Sequence, residues 1–170
     1  MRTVPPLVVA FAVALTACST CPLTPLAVDG HELDAALVTC DLDAVAKLHV
    51  PRAVLRSNPQ VSSDPAFVAA IARSGSQGRL GSDGVRAALY ALHAGEKPLG
   101  LYGLQAASMA DADRLEGALR EIWNHNAELG RARVHRQGDV LIVVWHDGVS
   151  SACWQAVNAS LAERLARSSG

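Results

Sequence analysis

Aromatic side chains make up only 4% of this 170-residue chain. A core with so few large rings must be filled by Ala, Leu and Val, and a composition that is 50% hydrophobic supplies them. Charge of one sign is also lacking: 15 Lys and Arg stand against 16 Asp and Glu, a formal net charge of −1. That balance excludes a dedicated nucleic-acid binder, which needs a clustered basic surplus to displace counterions. No long apolar run occurs. The longest, Leu7 to Leu15, has nine residues, which as a helix rise only about 14 Å against a hydrocarbon core of about 30 Å. His-x-x-x-His and His-Glu-x-x-His spacings are missing among the six histidines, and so is Gly-x-x-x-x-Gly-Lys. Spacing therefore supports neither a metal site nor a phosphate-cradling loop, and no cofactor is expected.

What is present at the start is an export leader. Arg2 supplies positive charge, Leu7 to Leu15 an apolar stretch, and Leu15-Thr16-Ala17-Cys18 follows. This resembles the lipobox of bacterial lipoproteins, in which Leu and two small residues precede the cysteine that receives diacylglycerol. The resemblance covers residues 1–18 and implies no fold beyond them. It implies cleavage before Cys18, a thioether-linked diacylglycerol on its sulfur, and a further acyl chain on the new amino terminus. Two or more chains hold a protein stably on a membrane where one does not. In enteric bacteria Asp after the cysteine favours the inner membrane, so Ser19 points to the outer membrane, with the domain facing the periplasm. Residues 1–17 are then a signal peptide and residues 18–30, with Pro22, Pro25 and Gly30, a short tether. Residues 31–170 suit one domain by size.

With Cys18 lipidated, Cys21, Cys40 and Cys153 remain in an oxidising compartment, and no two of them have Cys-x-x-Cys spacing. Three thiols allow one intramolecular bridge at most. Cys21 with Cys40 is the first choice, and Cys40 with Cys153 the alternative.

From His31 the pattern is helical, with Leu33, Leu37 and Cys40 on one face and Leu42, Val45 and Leu48 on a helix that Asp41 could cap. Pro51 closes this region. Asp64-Pro65 starts a helix with Phe67, Ala70 and Ile71 inward and Gly75 at its end. A Gly/Ser-rich loop follows, then Val85, Ala88, Leu89 and Leu92, whose spacing predicts a short helix stopped by Gly95. Leu99 to Leu104 is expected to be a strand, its glycines marking a bulge or the close approach of another backbone. Ser108 caps a long helix carrying Leu115, Leu119, Ile122 and Leu129. Arg131 to Trp145 folds into two strands about Gly138-Asp139, and Val140 to Trp145, apolar on both faces, is the central one. Ser150 or Ser151 caps a last helix striped by Trp154, Val157, Leu161 and Leu165. The order strand, helix, strand, strand, helix predicts an α+β fold, a small antiparallel sheet covered by helices. It would be ferredoxin-like if the first, mostly helical half contributes a missing strand.

Three groups of residues are candidates for chemistry. Arg131, Arg133 and His135 share one strand face, with Arg136 on the other, and could meet an anion or an acidic partner; a solvated sheet face is the plainer alternative. His146-Asp147 follows the central strand where a hydrolase dyad could sit, although neighbours on a strand point to opposite faces and Asp-Gly is an ordinary turn. Trp123, Trp145 and Trp154 could line a cleft, or fill the core. The expected function is non-enzymatic: a membrane-anchored domain that binds a protein or envelope component. The alternatives are a hydrolase built near His146 and Asp147, and a protective lipoprotein that blocks a toxin or hydrolase.

Overall fold

The computed structural model describes residues 59–94 and 97–167. The leader, Cys18, the tether, Cys21, Cys40 and the helices expected between His31 and Leu48 lie outside these residues. Within them the chain runs β1 (Gln60–Ser62), α1 (Pro65–Gly75), β2 (Val85–Ala94), β3 (Pro98–Ala106), α2 (Met109–Glu128), β4 (Ala132–Gln137), β5 (Val140–His146) and α3 (Ser151–Arg167). The strands form one antiparallel sheet in the order β1-β2-β3-β5-β4.

Each helix starts where a side chain satisfies otherwise unpaired N–H groups. Asp64 accepts from the Phe67 N–H at 2.9 Å, with Pro65 at the first helical position. Ser108 accepts from the Asp111 N–H at 3.1 Å, and Ser150 from the Cys153 N–H at 3.2 Å. The caps match the sequence expectation in all three cases. Gly75 does end α1, but the cap is Ser76, and the left-handed residues are Gln77 and Gly78. Gly75 is small for another reason: a Cβ there would stand 2.6 Å from the Tyr102 ring.

Both faces of the sheet are buried. On one, Ala88, Tyr90, Leu92, Tyr102, Leu104, Leu141 and Val143 meet Phe67 and Ile71 of α1 and Leu115 and Leu119 of α2. On the other, Leu89, Leu99, Leu101, Ile142 and Val144 meet Val157, Leu161 and Leu165 of α3. Burial on two sides explains why Leu99 to Leu104 of β3 and Val140 to Trp145 of β5 are apolar throughout rather than alternating.

The same burial overturns the helix expected over Val85 to Leu92, which is strand β2. A continuous apolar run always contains residues at i, i+3 and i+4, so its spacing cannot separate a helix from a doubly covered strand. Gly95, expected to stop that helix, lies outside the described residues. Gln60–Ser62 adds β1 to the outer edge of β2.

The second half is strand, helix, strand, strand, helix, as expected. In it β3 and β4 run parallel with β5 between them, joined by α2. With β2 beside β3, this is the strand arrangement of a ferredoxin-like unit entered at a different point of the chain. The helix and strand that would close that unit, α1 and β2, come before it. β2 is the strand supplied from nearer the first half, and α3 is an addition that covers the second face.

Candidate functional site

β4 is an edge strand, and its sequence builds two different faces. Gly138, with φ 59°, and Asp139 make a two-residue turn that pairs Gln137 with Val140. Pairing then continues through His135 with Ile142 and Arg133 with Val144. At its far end the Arg131 carbonyl accepts from the His146 N–H at 2.9 Å. In an antiparallel ladder only alternate residues exchange both bonds with their neighbour. Ala132, Val134 and Arg136 therefore turn their N–H and C=O groups away from the sheet.

The side chains alternate too. Arg136 faces α2, where its guanidinium donates to Asp113 at 2.6 Å and Glu116 at 2.8 Å. Glu116 also takes Arg120 at 2.7 Å. Hydrogen bonds from Arg136 and then Arg120 hold the Glu116 carboxyl below the usual glutamate range, and the Arg136 guanidinium is held more firmly protonated by Glu116 and Asp113. These groups tie β4 to the overlying helix.

On the α3 face the expected row of Arg131, Arg133 and His135 is divided among three tasks. Arg131 lies 3.9 Å from Asp147. His135 is half-buried, its Nε2 2.9 Å from the Asn158 Oδ1, and Asn158 donates from Nδ2 to the Trp154 carbonyl at 2.7 Å. Since the amide nitrogen is thus engaged, the Asn158 oxygen accepts and His135 Nε2 carries the proton. Burial pushes the His135 pKa down, and the charges of Arg133 and Arg120 add to it. Arg133 is exposed and has neither hydrogen bond nor ion pair among the described residues.

Two cavities of about 340 Å³ each adjoin this edge and share Arg133 and Trp154. One lies toward α2, against Arg120, Trp123, Asn124 and Ala127. The other lies toward α3, against Asn158, Ala159 and Ala162. Their walls hold two arginines and no Asp or Glu.

His146 and Asp147 do not form a dyad. The His146 Nε2–H donates to the Gly130 carbonyl at 3.1 Å, and Nδ1 accepts from the Gly148 and Val149 N–H groups at 3.2 and 3.3 Å. Both ring nitrogens thus bind backbone, and the ring rests against Trp154 with centroids 4.5 Å apart. Asp147 is exposed, and its N–H donates to the Pro98 carbonyl at 3.0 Å. Cys153 is half-buried on α3. Among the described residues no group of three His, Cys, Asp or Glu could hold a metal, and no helix is long and apolar enough to cross a membrane.

Of the three tryptophans, Trp145 packs over Gly100 and into the α2-side core. Trp123 donates to the Gly75 carbonyl at 3.0 Å and to the Tyr102 hydroxyl at 3.2 Å. Trp154 alone stands in both edge cavities. Sequence reasoning missed Asn158 and Arg120 at this site. The available signal was Asn158 itself, a polar residue beside Val157 and Leu161 in an apolar stripe, and only 6% exposed. No family model matches the chain, and no curated protein or solved structure matches it.

Proposed function

We propose that this protein is a lipid-anchored component of the bacterial envelope whose domain binds a partner protein or envelope component along the β4 edge, without catalysis. The observation that carries the binding half is Arg133: an exposed guanidinium with no partner among the described residues, beside Trp154, at an open sheet edge. A cation left unneutralised next to an aromatic face suits recognition of an anionic group, where each new bond is charge-assisted. The anchoring half rests on Leu15-Thr16-Ala17-Cys18. Diacylglycerol on Cys18 holds the protein at the outer membrane, and the domain faces the periplasm. A protective role, in which the domain blocks a toxin or hydrolase, uses the same edge with a different partner.

The test is capture from envelope extract by the tagged mature chain, run in parallel with Arg133→Glu. A specific protein or envelope component retained by the parent and lost in the variant is the expected result. Identical material retained by both would overturn β4 as the binding edge. Cys18→Ser is expected to release the chain from the membrane fraction, and its firm retention there would overturn anchoring through Cys18.

A further inference from the structure

We propose that the β4 edge takes up an extended, carboxylate-bearing segment of a partner protein as a sixth strand of the sheet. This rests on the binding reading above and specifies its mode and the partner's chemistry. Three observations point to it. First, the register leaves the N–H and C=O of Ala132, Val134 and Arg136 facing outward, a ladder that another backbone can complete. Second, there is room beside that ladder: α2 and α3 flank β4 from the two sheet faces, and the two cavities meet at Arg133 and Trp154. The helix residues that line this space include small ones, Ala127 on one side and Ala159 and Ala162 on the other. Third, the space is lined by Arg120 and Arg133 with no carboxylate.

The charge decides the occupant. An added strand places its side chains alternately toward α2 and toward α3. Glu or Asp on the α3 side reaches Arg133, whose guanidinium is exposed and unneutralised. A second copy of this chain is the competing occupant, since it offers the same edge. Pairing β4 antiparallel with β4, however, brings the unneutralised Arg133 of both copies to the same face of one seam, whereas Arg120 and Arg136 already have Glu116 and Asp113, and like charges across a strand pair are destabilising. An acidic partner gains where a second copy loses.

The full mature chain carrying Cys18→Ser, labelled for NMR, tests this. The probes are an acetylated eight-residue peptide alternating Val and Glu, its Val-Lys counterpart, and the Val-Glu peptide N-methylated on alternate amides. The Val-Glu peptide is expected to bind and to slow exchange of the Ala132, Val134 and Arg136 amides, while those of Arg133 and His135, already in the ladder, change little. The Val-Lys and N-methylated peptides are expected to bind at least about tenfold more weakly, as is the Val-Glu peptide to Arg133→Glu. Val134→Pro removes an outward N–H that the sheet does not use, so it is expected to keep the fold and lose the peptide. If Val134→Pro unfolds, Arg133→Glu and the N-methylated peptide still decide. Absence of Val-Glu binding at millimolar concentration, equal binding of Val-Lys, protection elsewhere than β4, or self-association through β4 would each overturn strand addition. Should Arg133→Glu nonetheless lose its envelope partner, the binding reading stands and only its mode is wrong.

Discussion

His135 of β4 reaches across to α3 and meets Asn158 with 2.9 Å between Nε2 and Oδ1. The pair joins the edge strand to the helix that covers the second sheet face. Burial lowers the His135 pKa, and Arg133 and Arg120 push in the same direction. The folded state therefore binds a proton at His135 less readily than the unfolded chain does. Its contribution to stability is complete above the unfolded histidine value of about 6.5 and is lost as pH falls below it toward the folded value. Urea midpoints at pH 7.5 and 5 are expected to differ more in the parent than in His135→Gln. Equal differences would show that His135 does not couple folding to protons.

Trp123 is a second anchor. Its single N–H serves both the Gly75 carbonyl and the Tyr102 hydroxyl, and burial pushes the Tyr102 phenol well above its ordinary pKa. Trp123→Phe keeps an aromatic ring but leaves both oxygens without that donor, at a cost of about 1–3 kcal/mol in urea unfolding. Tyr102→Phe, which removes one acceptor and keeps the ring, is expected to cost less. The reverse ranking would mean that ring packing, not hydrogen bonding, holds this corner.

Glycine substitutions are expected to differ in sign. Gly75→Ala forces a methyl group into the Tyr102 ring and Gly100→Ala into the Trp145 indole; each is expected to destabilise by about 1–3 kcal/mol. Gly117 lies within α2 with nothing near its missing Cβ. Gly117→Ala is expected to stabilise by about 0.5–1 kcal/mol through helix propensity alone. Thermal unfolding of the three variants separates the cases.

His146→Ala tests whether that residue is a pin or a reagent. It removes bonds to Gly130, Gly148 and Val149 and a ring contact with Trp154. Water can reach these exposed groups, so a loss of about 0.5–1.5 kcal/mol is expected, with capture of the envelope partner retained. Any hydrolytic activity of the parent that vanishes in this variant would favour the hydrolase alternative instead.

Much of this architecture could be read from the chain because its signals are local. Asp64-Pro65, Ser108 and Ser150 mark helix starts through bonds made within three residues. Gly138-Asp139 marks a turn, and Val140 to Val144, unbroken by polar residues, marks a central strand. β2 was not legible, because Ala87 to Leu92 is apolar at every position and fits either period. Glycines within a strand such as β3 point to a bulge or to the close approach of another backbone. They admit side chains instead, the Trp145 indole at Gly100 and the Ile142 Cδ1, 2.5 Å from a Cβ built on Gly103. The edge site was half legible. Alternation placed Arg131, Arg133 and His135 on one face, but only the packing of α3 distinguishes a buried His135 from an exposed Arg133. Trp154 and Asn158 come to that edge from about 20 residues further along, a distance that no periodicity spans.

The most direct measurement is mass spectrometry of the amino-terminal peptide of protein purified from its native membrane. A peptide that begins at Cys18 and carries a diacylglyceryl thioether and an amide-linked acyl chain is the predicted result. An unmodified Cys18 thiol, or a chain that still carries residues 1–17, would contradict it.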